Sequence, residues 1–481
     1  MTELGARLRA FATSHKPDLG LFLLGVLLRV SMRFTYDVGH GYDWSAHLQT
    51  IEWWVDHDSI PRFDYNNTTY HPPLFYWLAS RLLRAGVSHQ GLSVISIVAG
   101  CLRLGVVWLG LELYLPSNRF ARVVALGLLA IFPADLLVDG MVTNEGMSTL
   151  FSAVAIVLAP LVLAGEGSPR RRHALGAALG AAVGLALMCK FSVAAVISAL
   201  GVTVAIGLAR AFVAGERAPR VLFARVAPLV TSACVAVAIA GWFFVRSERL
   251  YGMAAPTGYD GGSRVVVADA LAKPFLDRRP IGYLASFDPA IFANPYYPTG
   301  NVPFARFWSQ LLGTTFSDYF STAFALPPPK AEGPPIVRLG RAIPPVSFVA
   351  SCASTIAGAF VFLAVVVAWL FAVRTVWRRR ETPALFLLLV PAFLLLGQLT
   401  FAIKYPNDTF SPVKGVYMQF GTPPLFGLFG LAVAEAWRRP RLRALAWICL
   451  AAGVAIAFYA LQTRIPPIPD GLAYWWATRA K

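Results

Sequence analysis

Residues 36–78 read YDVGHGYDWSAHLQTIEWWVDHDSIPRFDYNNTTYHPPLFYWL and interrupt a chain that is otherwise strongly apolar. The segment gathers Asp37, Asp43, Asp56, Asp58 and Asp64, the histidines His40, His47, His57 and His71, and the tryptophans Trp44, Trp53, Trp54 and Trp77. Residues 19–30, just before it, form an apolar run broken only by Arg29, with no small-residue cleavage site behind it. That run therefore reads as a retained anchor rather than a removed leader. An anchor that delivers an acid-rich loop to one membrane face sets the fold class.

Working outward, 57% of the 481 residues are hydrophobic and 14% are charged, with a mean hydropathy of +0.59. A soluble protein of this length is far more polar. The chain reads as an all-α polytopic membrane protein, since helices keep their backbone hydrogen bonds within each spanning segment. The net charge of +17 comes from arginine clusters set between apolar runs. The positive-inside rule explains that placement, and no nucleic-acid partner is implied. Cys101, Cys189, Cys234, Cys352 and Cys449 lie inside apolar runs without any CxxC spacing, so neither a disulfide framework nor a cysteine-bound zinc is expected.

The hydropathy pattern predicts about eleven transmembrane helices. They fall near residues 18–34, 90–115, 123–138, a fourth ending before Arg170, 174–188, 191–209, 226–245, 346–372, 383–403, 416–434 and 444–461. Arg7, Arg9 and Lys16 place the N-terminus inside, and each later arginine cluster then falls inside as well. The transmembrane domain is expected over 1–461, with a first outer loop at 35–89 that carries interfacial helices. A large outer loop follows the seventh span at 247–345, and residues 462–481 make a short outer tail. The Gly- and Ala-rich fifth span should pack closely, as one arm of a helical hairpin with the sixth. Residues 306–320 have helical apolar spacing suited to the membrane surface. PPPKAEGPP at 327–335 is too proline-rich for regular structure. Asn66 and Asn407 each begin a glycosylation sequon.

Within the first loop, Trp44, Leu48, Ile51 and Val55 repeat at helical spacing, which predicts a helix lying flat in the interface. Asp43 and His47 stand four apart, as a base and its orienting partner or a metal pair require. Partial desolvation should raise the Asp43 pKa; a solvated charge on an interfacial helix is the competing reading. The prolines after His71 start a helix, and the exposed amides there favour an anion, so His71 is a candidate phosphate contact. A histidine bonded to a neighbouring carboxylate is the alternative. Asp139 and Glu145 bracket an outer turn in which acids are costly unless paired or functional. Lys190, Arg246, Lys404 and Lys414 fall at the same membrane face. Each is explained singly by snorkelling, and together they suit an anionic lipid headgroup.

The order of these motifs resembles the GT-C superfamily of membrane glycosyltransferases, in particular the branch of protein O-mannosyltransferases and bacterial aminoarabinose transferases. The carriers are Tyr42-Asp43-Trp44, HPPLFYW from His71, MVTNEG from Met141, CKFS around Lys190, VRSERLYG from Val245 and KGVYMQFGTPPL from Lys414. The resemblance covers the chain to about Pro424. It implies an inverting transfer of a sugar from a polyprenyl-phosphate donor to a hydroxyl acceptor on a lipid, glycan or protein, on the outer face. Asp43 matches the general base. Many members follow that aspartate with a glutamate where this chain has Trp44, and the aminoarabinose transferases have a lysine where this chain has His71.

In this reading His47, Asp139 and Glu145 support the base or hold a metal, and His71, Lys190, Arg246, Lys404 and Lys414 bind the donor phosphate. Lysine and arginine can neutralise a single phosphate leaving group, so no cofactor and no essential divalent metal is expected. No glycine-rich phosphate loop follows a strand. The Ala, Arg and Gly bias points to a bacterial plasma membrane. A transporter or flippase of an amphipathic lipid is the alternative; it requires ionisable residues near mid-membrane, whereas the charges here collect at the outer ends. A fold that has lost catalysis is a third reading, favoured if Asp43 were dispensable.

Overall fold

A chain this apolar can cross a bilayer only as helices, because each backbone amide must find a partner inside its own segment. The computed structural model describes residues 16–36, 38–215, 218–257, 260, 272–295, 306–317, 336–338, 341–343, 345–406 and 413–462. Its long helices are α1 (Lys16–Thr35), α2 (Trp44–His57), α3 (Leu74–Arg84), α4 (Val94–Tyr114), α5 (Arg119–Ile131), α6 (Pro133–Gly140), α7 (Glu145–Ala164) and α8 (Pro169–Leu187). They continue with α9 (Ala194–Val213), α10 (Pro219–Tyr251), α11 (Phe307–Phe316), α12 (Pro345–Arg379), α13 (Thr382–Lys404), α14 (Thr422–Arg438) and α15 (Arg443–Gln462). A two-stranded antiparallel ribbon, β1 (Ile336–Arg338) with β2 (Arg341–Ile343), pairs Ile336 with Ile343.

Among the described residues eight helices are long and apolar enough to cross a membrane, or nine if the bent pair α5–α6 is one span. The chain is an integral membrane protein, and the expected count of eleven is not confirmed. Two expected spans fall short through charge: α1 carries Asp18, Arg29 and Arg33, and α8 begins on Arg170, Arg171 and Arg172. The third expected span bends by 44° between Ile131 and Pro133. There Pro133 removes a helical donor and restarts the chain as α6. Residues 327–335, the sequon at Asn407 and the tail beyond residue 462 lie outside the described residues.

The expected hairpin of the fifth and sixth spans is joined by a tight turn, but its arms find other partners. Helix α8 packs on α7 and α10, and α9 packs on α13. Gly176 and Gly180 make the α8–α10 contact possible: a Cβ at either would collide with the Pro228 or Ser232 carbonyl. Small residues let backbones approach where lipid offers no hydrophobic drive for association.

Two expected surface helices are buried instead. The α2 stripe of Leu48, Ile51 and Trp54 packs on Phe75, Tyr76 and Ala79 of α3 and on Leu92, Ile95 and Val142, so protein rather than lipid covers it. Helix α11 is sealed by α12 and α6, with Phe316 edge-on to Phe132 at 5.6 Å.

A charged cluster sits inside the bundle. The Arg29 Nε lies 2.8 Å from Asp139 Oδ2, and the Arg103 Nη2 lies 2.9 Å from Asp135 Oδ2 and 3.5 Å from Asp139 Oδ2. None of the four side chains is more than 1% exposed. Arg29 also donates to the Gly25 and Ala130 carbonyls. Asp139 therefore belongs to helix α6 and its arginines, not to an outer turn. The expectation that charges collect only at the outer ends is likewise corrected, since Arg103 stands midway along α4.

Candidate active site

Asp43 is the N-cap of α2, and its backbone is left-handed at φ 51° and ψ 26°. Few residues other than glycine adopt that region, and aspartate is one of them. An N-cap aspartate usually spends its carboxylate on the first amides of its helix, yet this one makes no such bond. The carboxylate instead lies 3.8 Å from the Lys414 Nζ, and half of its surface stays open (51%) although protein crowds the rest. The Lys414 charge holds the Asp43 pKa below the usual carboxylate value; burial pushes the other way and loses, while His47 and Lys190 add to the lowering. The expected upward shift is thus reversed, because desolvation is outweighed by an adjacent cation.

One turn into α2, His47 is buried, and its Nδ1 lies 2.9 Å from the Tyr76 hydroxyl. Burial lowers the His47 pKa to about 4 against the pull of Asp43, and burial also drives the Tyr76 pKa well up. The pair is neutral at pH 7. The His71 ring runs parallel to that of His47 with centroids 6.3 Å apart, and burial with the nearby Lys190 holds its pKa well down. Neither histidine adds a positive charge.

The other cations arrive from distant turns. Lys190 precedes α9, forms a buried ion pair with Glu145 at the start of α7, and stands over the Tyr417 ring at 4.8 Å. Asn144 ties the two turns by donating to the Cys189 carbonyl at 2.8 Å, and Leu74 N–H reaches the Met188 carbonyl at 3.0 Å. Lys414 caps the 3₁₀ turn Gly415–Gly421 and lies over the Tyr42 ring at 4.8 Å. Its position depends on Gly415, whose amide donates to Thr314 Oγ1 at 2.8 Å and which has no room for a Cβ against Thr314 and Thr315.

A cavity of about 500 Å³ opens beside these groups. Its polar end is formed by Tyr70, His71, Lys190, Lys404, Tyr405 and Tyr417, and Phe243, Phe244, Leu394, Leu396 and Phe401 make its apolar walls. Of the sequence candidates, the structure brings together Asp43, His47, His71, Glu145, Lys190 and Lys414, with Lys404 lining the same cavity as Lys190. It does not bring in Asp139, held by Arg29 and Arg103, or Arg246, which points to the Ile60 carbonyl at 3.5 Å and does not line the cavity. Asn66 bonds Thr50, the Ala46 carbonyl and the Thr68 amide, so its side chain is engaged in the loop. Sequence reasoning missed Tyr76, Asn144, Tyr417 and Gln90. Gln90 pins the turn before Asp43 through the Val38 amide and the Tyr36 carbonyl. Tyr76, Asn144 and Tyr417 lie inside the quoted motifs, which was the available signal.

Among the described residues no three His, Cys, Asp or Glu side chains are placed to hold a metal ion. Chemically, the site offers an ionised, half-open carboxylate beside one lysine, and two more lysines lining a largely apolar cavity.

These features define a polytopic membrane fold with an acid–lysine site at one end of the bundle. No protein-family model matches the chain, and no curated protein matches it significantly. Solved structures do match. The chain aligns with ArnT from Cupriavidus metallidurans bound to undecaprenyl phosphate at a TM-score of 0.50 and 13% identity, over 93% of this chain and 75% of that one. It also aligns with the archaeal oligosaccharyltransferase AglB from Archaeoglobus fulgidus, in complex with an inhibitory peptide and a dolichol-phosphate, at 0.50 and 13%. That match covers 95% of this chain and 59% of AglB. The chain thus has the fold of the GT-C membrane glycosyltransferases. At such identity the likeness is one of fold alone.

Proposed function

We propose that this protein is an inverting glycosyltransferase that moves a sugar from a polyprenyl-phosphate donor to a hydroxyl acceptor. The observation that carries the reading is Asp43: a strained N-cap carboxylate left unspent on its helix, ionised by Lys414 and half open. In the reaction the acceptor oxygen attacks the sugar's anomeric carbon from the face opposite the phosphate. The carbon–phosphate-oxygen bond breaks, the acceptor proton passes to Asp43, and polyprenyl phosphate departs. Lys190 and Lys414 stabilise the second negative charge that grows on the leaving phosphate.

Lys190 and Lys414 are the cations that can meet a donor phosphate, with His47 and His71 neutral. The apolar walls of the cavity suit a polyprenyl chain, and the two similar proteins were solved with undecaprenyl phosphate and with dolichol-phosphate. The arginine distribution favours the outer face of a bacterial plasma membrane for this site.

One observation favours the transporter reading, namely the buried charges at Arg103 and Asp135. They are paired with each other and do not line the cavity, so they offer no path for a substrate. The test is lipid mass spectrometry of the purified protein, followed by turnover of a co-purifying polyprenyl-phosphate sugar by the native chain and by Asp43→Asn. Transfer by the native chain alone is expected. Equal transfer by both removes Asp43 as the base.

A further inference from the structure

The reading above leaves the acceptor open, and the first turn of α2 narrows it. At 100° per residue, Trp44, His47, Leu48, Ile51 and Trp54 fall on one stripe. That stripe is sealed along most of its length: His47 is 4% exposed, Leu48 8%, Ile51 0% and Trp54 8%. Trp44 points the same way and is 40% exposed. The protein cover therefore ends one turn short of the helix start, and the uncovered indole stands next to the half-open carboxylate of Asp43. Neither residue lines the apolar cavity. Asp43 thus has an approach from the Trp44 side, separate from the cavity end where Lys190 and His71 sit.

We propose that Trp44 is the stacking platform of the acceptor subsite and that the acceptor is a sugar ring, the hydroxyl of a glycan or glycolipid. This rests on the reading of Asp43 as base. A sugar ring presents a face of positively polarised C–H groups, which matches the negative face of an indole. Its hydroxyls then fall beside the half-open carboxylate of Asp43.

Two other roles fit the surroundings less well. An interfacial anchor belongs on a face turned to lipid, but Trp44 shares the stripe that packs on α3, and the opposite side of α2 carries Glu52 and Asp56, which an anionic membrane repels. A peptide acceptor is held largely through its main chain and needs free backbone groups on the enzyme. Four amides around Asp43 are used locally: Val38 N–H goes to Gln90 Oε1, Gly41 N–H to the Val38 carbonyl, Trp44 N–H to the Gly41 carbonyl and His47 N–H to the Asp43 carbonyl. The side chains on offer beside them are one exposed indole and one half-open carboxylate.

The experiment uses the full chain in nanodiscs and saturation-transfer NMR, with methyl α-D-mannopyranoside, methyl β-D-glucopyranoside, methyl α-D-arabinofuranoside and the capped peptide acetyl-Ala-Thr-Ala-amide as probes. At least one glycoside should take up saturation on its ring C–H protons. Trp44→Phe should keep that signal, while Trp44→Leu, which retains apolar bulk without a π face, should weaken binding about tenfold. No glycoside signal in the native chain, equal binding by Trp44→Leu, or a preference for the peptide overturns the proposal. Asp43→Asn separates the two readings. Glycoside binding with undiminished transfer in that variant removes the base and keeps the platform; loss of transfer together with native-like binding by Trp44→Leu removes the platform and keeps the base.

Discussion

Two sets of acids and cations in this molecule use the same chemistry to opposite ends. Arg29, Asp139, Arg103 and Asp135 are contributed by regular turns of α1, α4 and α6 and are closed to solvent. Asp43, Lys414, Glu145 and Lys190 come from caps and turns, and Asp43 stays half open. In the sealed set each charge is compensated by neighbours it cannot leave. In the open set compensation comes from lysines on other loops, which can exchange a carboxylate for a phosphate. Access and replaceable partners, rather than charge itself, separate a site from a staple.

That contrast can be broken most directly at Asp43. Asp43→Asn should lower transfer by about 10²- to 10⁴-fold and leave the unfolding temperature where it was, since the carboxylate caps nothing. A folded variant with retained turnover would put the open set in the structural class. The opposite pattern is expected at Arg103. Arg103→Met strands Asp135, leaving Asp139 to Arg29, and should cost about 3–5 kcal/mol of stability, as removal of one partner from a buried pair does. Adding Asp135→Leu should recover part of that loss in the same denaturation assay, and no recovery would mean the cluster is not a closed circuit.

Smaller effects sharpen the comparison. Lys414→Ala should weaken binding of polyprenyl phosphate more than binding of the acceptor. Because the Lys414 charge is what holds the Asp43 pKa down, its removal should also move the acid limb of the rate profile to higher pH; an unmoved limb detaches the lysine from the base. In the native chain the rate should stay level through neutral pH and fall only as pH drops through the lowered Asp43 pKa. Smallest is the contribution of His47. Its folded pKa of about 4 lies below the ordinary 6.5, so the unfolded chain binds more protons between those values and stability should fall as pH drops from 6.5 towards 4. His47→Asn should flatten that slope in thermal unfolding.

Much of the open set was legible in the sequence because it is local or carried on short motifs. Asp43 and His47 are four residues apart, and Glu145, Lys190 and Lys414 each mark a break between apolar runs. The sealed set was not legible. Asp139 sits two residues from a turn, and only the partners Arg29 and Arg103, on other helices, show that it faces inward. The same limit applies to α2 and α11, since a helical apolar stripe has one pattern whether lipid or protein covers it. The direction of the Asp43 pKa failed for a related reason: burial could be guessed from the loop, but the lysine that outweighs it lies near the other end of the chain.

That last distance bears on how the protein is made. Synthesis and membrane insertion proceed from the N-terminus, so the aspartate emerges early and the lysine beside it is added only after α13 is in place. Gln419, in the same turn as the lysine, then donates to the Ala134 carbonyl at 2.8 Å and joins the late segment to the early α6. A nascent or truncated chain holds most of the parts in an unassembled state. Activity should appear only once Lys414 and its turn have joined Asp43 and α6 in the membrane.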